Sequence, residues 1–141
     1  MKLALKTSFN NWVKVGKEGE EFLIDYPTIE QEQFLQAIKY DDILSINGRV
    51  LKYGQYYIKF VVKDWKNVID ESGKPIKCII KNNELEDKLW WALVSDEEMT
   101  MELYAICFRE LAFTENDKKK LSLLDSLNEK ENSQEKEKNT Q

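Results

Sequence analysis

The amino-acid sequence predicts an α+β fold that is mostly α-helical. Three observations predict it: apolar runs on both sides of glycine-containing turns, helix start signals at Thr28, Ser95 and Thr114, and apolar stripes with helical spacing. The chain has 141 residues, of which 42% are hydrophobic, and this is enough for one domain with its own core. We predict a single α+β domain over residues 1–127 and a disordered polar tail over 128–141.

The first two predicted elements are an N-terminal β-hairpin within Trp12–Asp25 and a helix. In the hairpin, Gly16-Lys17-Glu18-Gly19 has the composition of a tight turn between two short apolar arms. The helix is expected over about Ile29–Lys39, because Thr28 is a favourable N-cap and Gln31 completes a capping box with it. The apolar face of this helix consists of Phe34, Leu35 and Ile38.

A central helix is the next expected element. Residues 41–48 are predicted as a linker or a weak strand, because Asn47-Gly48 is a turn signal. In Arg49–Trp65 the apolar residues have helical spacing, but the part from Tyr56 to Val62 is rich in β-branched and aromatic residues, which favours a strand. The uninterrupted length favours a helix over 49–62, and the strand alternative stays open.

Asp64–Cys78 predicts a short β-hairpin anchored by a tryptophan. Gly73 can adopt positive φ in the turn Ser72-Gly73-Lys74-Pro75, and Pro75 has no N–H to donate to a strand ladder. The strand material on the two sides of this turn is Val68-Ile69 and Ile76–Ile80.

C-terminal helices follow this hairpin. The first is expected within Asn83–Leu93, and the second over Asp96–Phe113, because Ser95 and Glu98 have capping-box spacing. A last helix is expected over Glu115–Leu127. After it, residues 128–141 contain no apolar side chain, so they cannot bury surface to offset the entropy of ordering.

Several functional classes are disfavoured by composition. The chain has no histidine, no glycine-rich phosphate loop and no zinc pattern around Cys78 and Cys107, so we expect no catalysis, no cofactor and no metal. The net charge of −5 argues against a nucleic-acid partner bound through a basic face. No window is long and apolar enough for a signal peptide or a membrane span, so we expect a soluble intracellular product.

Two features are candidates for partner binding. Trp90 and Trp91 are adjacent and point about 100° apart on a helix, so one should fill the core and the other lie at its edge. Between Asn82 and Tyr104 seven acidic residues stand against one lysine. This acidic region includes Glu97 and Glu98, and two interpretations of it stay open. Either it binds a basic surface of a partner, or its acids cap two consecutive helices. The candidate binding residues are Trp90, Trp91, Glu97, Glu98 and Met99.

The sequence resembles a group of proteins encoded in tailed phages and prophages near the genes for the tail tube and the tape measure. The resemblance covers roughly residues 20–113, and two segments carry it. Glu21–Glu32 has a strand, a proline and a helix start, and Val61–Pro75 reads VVKDWKNVIDESGKP. The signature residues in the second segment are Asp64, Trp65, Asp70, Gly73 and Pro75.

The resemblance implies a tail assembly chaperone in the host cytoplasm. Such a protein is not an enzyme; it binds the tape measure protein and helps to recruit tail tube protein. The alternatives are a virion structural component, such as a head–tail connector or a tube-associated protein, and a small acidic host-directed inhibitor. The sequence leaves self-association into a homo-oligomer open.

Overall fold

The computed structural model describes residues 1–3, 9 and 11–112, and its mixture of helices and two small antiparallel sheets confirms the predicted α+β class. The elements in chain order are β1 (Asn11–Val15), β2 (Glu20–Ile24), α1 (Ile29–Lys39), α2 (Ile46–Val61), β3 (Val62–Lys66), β4 (Ile80–Lys81), β5 (Glu84–Leu85), α3 (Asp87–Val94) and α4 (Glu97–Ala112). The predicted helix over 115–127, the domain boundary at 127 and the predicted tail lie outside the described residues.

The N-terminal hairpin is confirmed. β1 and β2 pair antiparallel with Val13 opposite Phe22, and Gly16 and Gly19 both have φ of 85° in the turn that joins them. β3 pairs with the other edge of β2 to give the order β1-β2-β3. Side chains alternate between the two faces of a sheet, so one face carries the buried residues Val13, Val15, Phe22, Ile24, Val62 and Trp65.

Helix α1 begins and ends as predicted. The Thr28 hydroxyl accepts a hydrogen bond from the Gln31 N–H, and the Gln31 side-chain oxygen accepts one from the Thr28 N–H at 2.9 Å. Both halves of the capping box are therefore formed. Leu35 and Ile38 are buried, as expected for the apolar face, but Phe34 is 45% exposed.

The central helix is confirmed, with two corrections at its ends. It starts within the predicted linker, because the Ser45 hydroxyl accepts from the Gly48 N–H at 3.0 Å and caps α2. Asn47-Gly48 is therefore the first helical turn, not a turn between elements. At the other end the helix stops at Val61, because Val62–Lys66 pairs with β2 instead. Within β3, β-branched Val62 and aromatic Trp65 suit a strand.

The predicted hairpin at Asp64–Cys78 is shorter than expected. Asp64 and Trp65 belong to β3, so their partner is β2 and not the returning chain. The hairpin itself has one bridge, between Ile69 and Pro75. Hydrogen bonds flank it from the Ile76 N–H to the Val68 oxygen at 2.9 Å and from the Asp70 N–H to the Lys74 oxygen at 2.8 Å. The returning segment reaches its own strand only at β4, which pairs with β5.

The starts of both C-terminal helices also need correction. The predicted helix within Asn83–Leu93 begins only at Asp87, because Glu84–Leu85 forms β5 and the Glu86 carboxylate accepts from the Leu89 N–H as the N-cap. The predicted capping box of Ser95 and Glu98 is wrong. It is the Asp96 carboxylate that accepts from the Met99 N–H, at 3.2 Å, while the Ser95 hydroxyl donates to the Ala92 oxygen.

The buried core lies where the inner face of the three-stranded sheet meets the helices. Helix α2 contributes most to it, through four buried apolar or aromatic residues near its end, two on each side of Lys59. The core residues from the helices and β5 are Leu35, Ile38, Tyr57, Ile58, Phe60, Val61, Leu85, Val94, Leu103, Cys107 and Leu111.

Candidate partner-binding surface

The two adjacent tryptophans of α3 have different environments. Trp90 is half-buried, and its indole N–H donates to the Gln55 oxygen of α2 at 2.7 Å. Trp91 is 60% exposed. This is the division that the angle between neighbouring helical residues predicts. An indole that leaves most of its surface in water is the kind of side chain that anchors interfaces.

Trp91 is the end of a continuous series of aromatic rings. Its ring centroid lies 6.0 Å from that of Trp90, which lies 4.9 Å from Tyr56 on α2. Tyr56 in turn lies 4.9 Å from Phe34 on α1, which is 45% exposed. We call these four residues, Phe34, Tyr56, Trp90 and Trp91, the aromatic surface. Buried Phe60 supports it from below, with its ring 5.7 Å from Phe34.

Lys59 fixes the middle of the aromatic surface. Its ammonium lies 4.6 Å from the ring centroid of Trp90, donates to the Asp87 carboxylate at 2.6 Å and lies 3.7 Å from the Glu84 carboxylate. Burial lowers the pKa of Lys59, but the hydrogen bond to Asp87 and the charges of Asp87 and Glu84 outweigh it and raise the pKa above its ordinary value. Lys59 is therefore a cation that holds Trp90 in place.

A groove of about 720 Å³ opens at the Phe34 end of the aromatic surface. Its floor contains Phe34, Tyr56 and Phe60, and Ile29 is exposed at its rim. The charged side chains among its described lining residues are two carboxylates, Glu30 and Glu84. We call it the aromatic groove. An apolar floor with acidic edges suits an apolar segment that carries positive charge.

One wall of the aromatic groove is held by a single carbonyl. The Asn83 oxygen, in the turn between β4 and β5, accepts from the Gln31 amide at 3.1 Å and from the Lys63 ammonium at 2.8 Å. Lys63 also donates to the Phe60 oxygen at 2.9 Å. Burial lowers the pKa of Lys63, and the nearby carboxylates oppose this. These bonds tie α1, α2, β3 and the β4–β5 turn together at this wall of the groove.

The acidic region between Asn82 and Tyr104 is largely used within the fold. Glu86 and Asp96 cap α3 and α4, and Glu84 and Asp87 pair with Lys59. Glu97 and Glu98 are exposed in the first turn of α4, where acids favour a helix. Met99 is half-buried against the core. Of the predicted binding residues, the structure joins Trp90 and Trp91 to one another, and it places the other three on α4.

The signature residues have structural roles. The Trp65 indole N–H donates to the Ile76 oxygen at 2.6 Å, and its ring packs edge-on against Phe22 at 6.3 Å. The Asp70 carboxylate accepts from the Ser72 N–H and hydroxyl and from the Lys74 N–H.

The other three signature residues also have local roles. Gly73 has φ of 84°, and the Asp64 carboxylate accepts a hydrogen bond from the Trp65 N–H at 2.8 Å. Pro75 forms the bridge to Ile69.

Phe34, Tyr56 and Lys59 are the surface residues that the sequence analysis missed. Phe34 fits the apolar spacing of α1, so it was expected in the core together with Leu35. Tyr56 and Lys59 lie in the segment whose helical state was open. The adjacency of Phe34 and Leu35 was the available signal, since neighbours on a helix cannot both point directly into one core.

The cysteines are both free thiols. Burial raises the pKa of Cys107 to about 12, and it raises that of half-buried Cys78 to about 11.

Within the described ranges, histidine, cysteine and acidic side chains form no group that would hold a metal ion. None of the helices in the described part of the chain has the length and apolar character needed to cross a membrane.

Comparison with models of known protein families, with curated proteins and with solved structures gave no match.

Proposed function

We propose that this protein is a tail assembly chaperone of a tailed phage or prophage, which binds tape measure protein, tail tube protein or both during tail assembly without enzymatic activity. The observation that carries the proposal is the aromatic surface, where half-exposed rings of three helices contact one another. The class of client, a tape measure or tail tube protein, is inferred from the sequence resemblance carried by Val61–Pro75.

The aromatic surface has the properties that reversible binding of apolar chain segments requires. Aromatic rings supply a large apolar area and lose little conformational entropy when they are held in place, because they have only two side-chain torsions. Here the rings already contact one another, and the Gln55 and Lys59 contacts fix Trp90. The client therefore meets a preorganised surface and not a set of mobile side chains.

The acidic edge of the aromatic groove supports discrimination between clients. Glu30, next to exposed Ile29, and Glu84, whose carboxylate also lies 3.7 Å from the Lys59 ammonium, are the two carboxylates that line the groove. A client segment with lysine or arginine beside its apolar residues is attracted there, whereas an acidic segment is repelled. The chain carries a net charge of −5, which also keeps a complex with an apolar client in solution.

Co-expression with the tape measure protein of the same phage tests the proposal. The wild-type chain should move the tape measure protein from the insoluble to the soluble fraction. The double variant Phe34→Ser/Trp91→Ser should lose this effect, because it removes the two exposed ends of the aromatic surface. Ile69→Ser is the matched control, since Ile69 is an exposed apolar residue outside that surface.

Failure of the wild-type chain to increase the solubility of tape measure and tail tube protein would contradict the proposal. The virion-component alternative makes the opposite prediction for the finished particle. Mass spectrometry of purified virions should find the protein depleted relative to tail tube protein if it is a chaperone, and at a fixed stoichiometric ratio if it is a structural subunit.

A further inference from the structure

A second groove, separate from the aromatic groove, opens between the end of α1, the first half of α2 and α4. Its volume is about 410 Å³, and it shares no lining residue with the aromatic groove among the described residues. Two of the helices that line it, α2 and α4, approach closely at Gly54, where the Tyr104 ring lies against the α2 backbone.

The walls of the second groove are apolar and continue the core stripe of α2 outward. Tyr57 is buried in the core, and Tyr53, one turn earlier, stacks on it with ring centroids 6.2 Å apart. The next positions along this stripe, Val50 and Ile46, are 47% and 71% exposed. On α4, Phe108 is 42% exposed, and its ring lies 5.7 Å from that of Tyr104.

The charge of the second groove is the reverse of that of the aromatic groove. Its charged lining residues, within the part of the chain that the structure describes, are the cations Lys39 and Arg49. The first turn of α2 carries no acidic residue. We call it the basic groove. The chain as a whole has a net charge of −5, so the two cations give this groove the opposite sign. Charge complementarity therefore indicates that the basic groove binds a negatively charged partner.

We propose that the basic groove docks an amphipathic helix of a partner protein whose apolar stripe is flanked by carboxylates. The groove between α2 and α4 takes apolar side chains spaced one helical turn apart, the usual mode in which a helix binds between two helices. Arg49 and Lys39 pair with the flanking carboxylates at the edge. This proposal goes beyond the chaperone function and stands independently of it, because the two surfaces use different residues.

Two synthetic peptides test this proposal with the full-length chain. Both are amphipathic helices with leucines on one face; one carries glutamates on both flanks, and its twin carries lysines at the same positions. Dye-labelled peptides are titrated with the Phe34→Ser/Trp91→Ser variant, which lacks the two exposed ends of the aromatic surface, so that binding of the lysine peptide there does not mask the comparison. Binding is followed by fluorescence anisotropy at low and at physiological ionic strength. We expect the dissociation constant of the glutamate peptide to be at least about tenfold lower than that of the lysine peptide. The ratio of the two constants should decrease as salt is added, because salt screens the charges.

Charge reversal locates the binding. Lys39→Glu/Arg49→Glu should reverse the preference between the twins, and Val50→Ser should weaken both peptides. Ile69→Ser is the control outside the groove, and circular dichroism checks that every variant is folded. Equal affinity for the two peptides, or an unchanged preference in the charge-reversed variant, overturns the proposal.

The double variant Phe34→Ser/Trp91→Ser separates the two proposals. It should bind the glutamate peptide as the wild-type chain does, because neither residue lines the basic groove. Loss of peptide binding in this variant would place the peptide on the aromatic surface and overturn the assignment to the basic groove.

Discussion

At the scale of single residues, Trp65 links the signature segment to the core. Its ring packs on Phe22 across the β2–β3 pair, and its N–H donates to the Ile76 oxygen beyond the Asp70 turn. Trp65→Ala should therefore lower the free energy of unfolding by about 3–5 kcal/mol, the usual range for removing a large core aromatic. Urea denaturation followed by circular dichroism measures it.

Trp12 is the matched control for this substitution. It is half-buried, and its ring lies under the Lys66 ammonium at 4.0 Å, outside the buried face of the sheet. Trp12→Ala should cost about 1 kcal/mol or less, the range of an exposed cation–π contact. Equal losses for the two variants would contradict the assignment of Trp65 as the core tryptophan.

The hydrogen bonds to the Asp70 carboxylate predict how the stability of the folded protein depends on pH. The hydrogen bond from the Ser72 hydroxyl, followed by that from the Lys74 N–H, lowers the pKa of Asp70 below its ordinary value. The stabilisation is complete above the pKa of the unfolded chain, about 3.9, and is lost as the pH falls through the lower folded value.

Asp70→Asn removes this titration. We expect the melting temperature to fall less between about pH 5 and about pH 2 in the variant than in the wild-type chain. Ser72→Ala, which removes the first donor, should also reduce the acid dependence. Thermal melts over this pH range measure both effects, and a full acid dependence in Asp70→Asn would exclude this role for the carboxylate.

At the scale of elements, α2 and α4 approach closely at Gly54. A Cβ atom at this position would lie 3.5 Å from the Tyr104 Cγ and 3.7 Å from the Met101 Sδ, which is ordinary van der Waals contact. Gly54→Ala should therefore stabilise the protein by about 0.5–1 kcal/mol through helix propensity. Gly54→Leu should destabilise it, because a longer side chain must displace Tyr104. The denaturant concentration at the midpoint of unfolding should rise in Gly54→Ala and fall in Gly54→Leu relative to the wild-type chain.

The start of α4 distinguishes the observed cap from the one expected from the sequence. Asp96→Ala should lower stability by about 1 kcal/mol, because its carboxylate accepts the Met99 N–H. Ser95→Ala should cost less, since the exposed Ser95 hydroxyl only donates to the Ala92 oxygen of the preceding helix. Thermal unfolding of the two variants measures this order, and a larger loss for Ser95→Ala would refute the observed cap.

The elements also show which features a sequence can predict. Thr28 and Gln31 lie three residues apart, so their capping box is a local feature, and α1 was predicted with its observed bounds. The sequence alone predicts the residues of β3 as part of a central helix or a hairpin, because the partner strand β2 is distant in sequence and no local pattern indicates the pairing. Helical spacing continues across Val61 and Val62, and only the pairing with β2 determines where the helix ends.

For the whole molecule, the fold class was predictable and the surfaces were not. Composition and periodicity separate helices from strands, and they predicted that the adjacent tryptophans differ in burial. Phe34 on α1 and Trp91 on α3 belong to one surface only through Tyr56 on α2 and through Trp90, the neighbour of Trp91. The two grooves of opposite charge likewise depend on how α1, α2 and α4 pack, which no local pattern specifies.

The most direct test of the chaperone proposal is a pull-down from phage-producing or prophage-induced cells with the wild-type chain and Phe34→Ser/Trp91→Ser side by side, read by mass spectrometry. We predict that the wild-type chain recovers tape measure or tail tube protein, that the double variant loses it, and that Ile69→Ser retains it. Recovery of no tail protein, or of equal amounts by the wild-type chain and the double variant, would contradict the proposal that the aromatic surface binds the client.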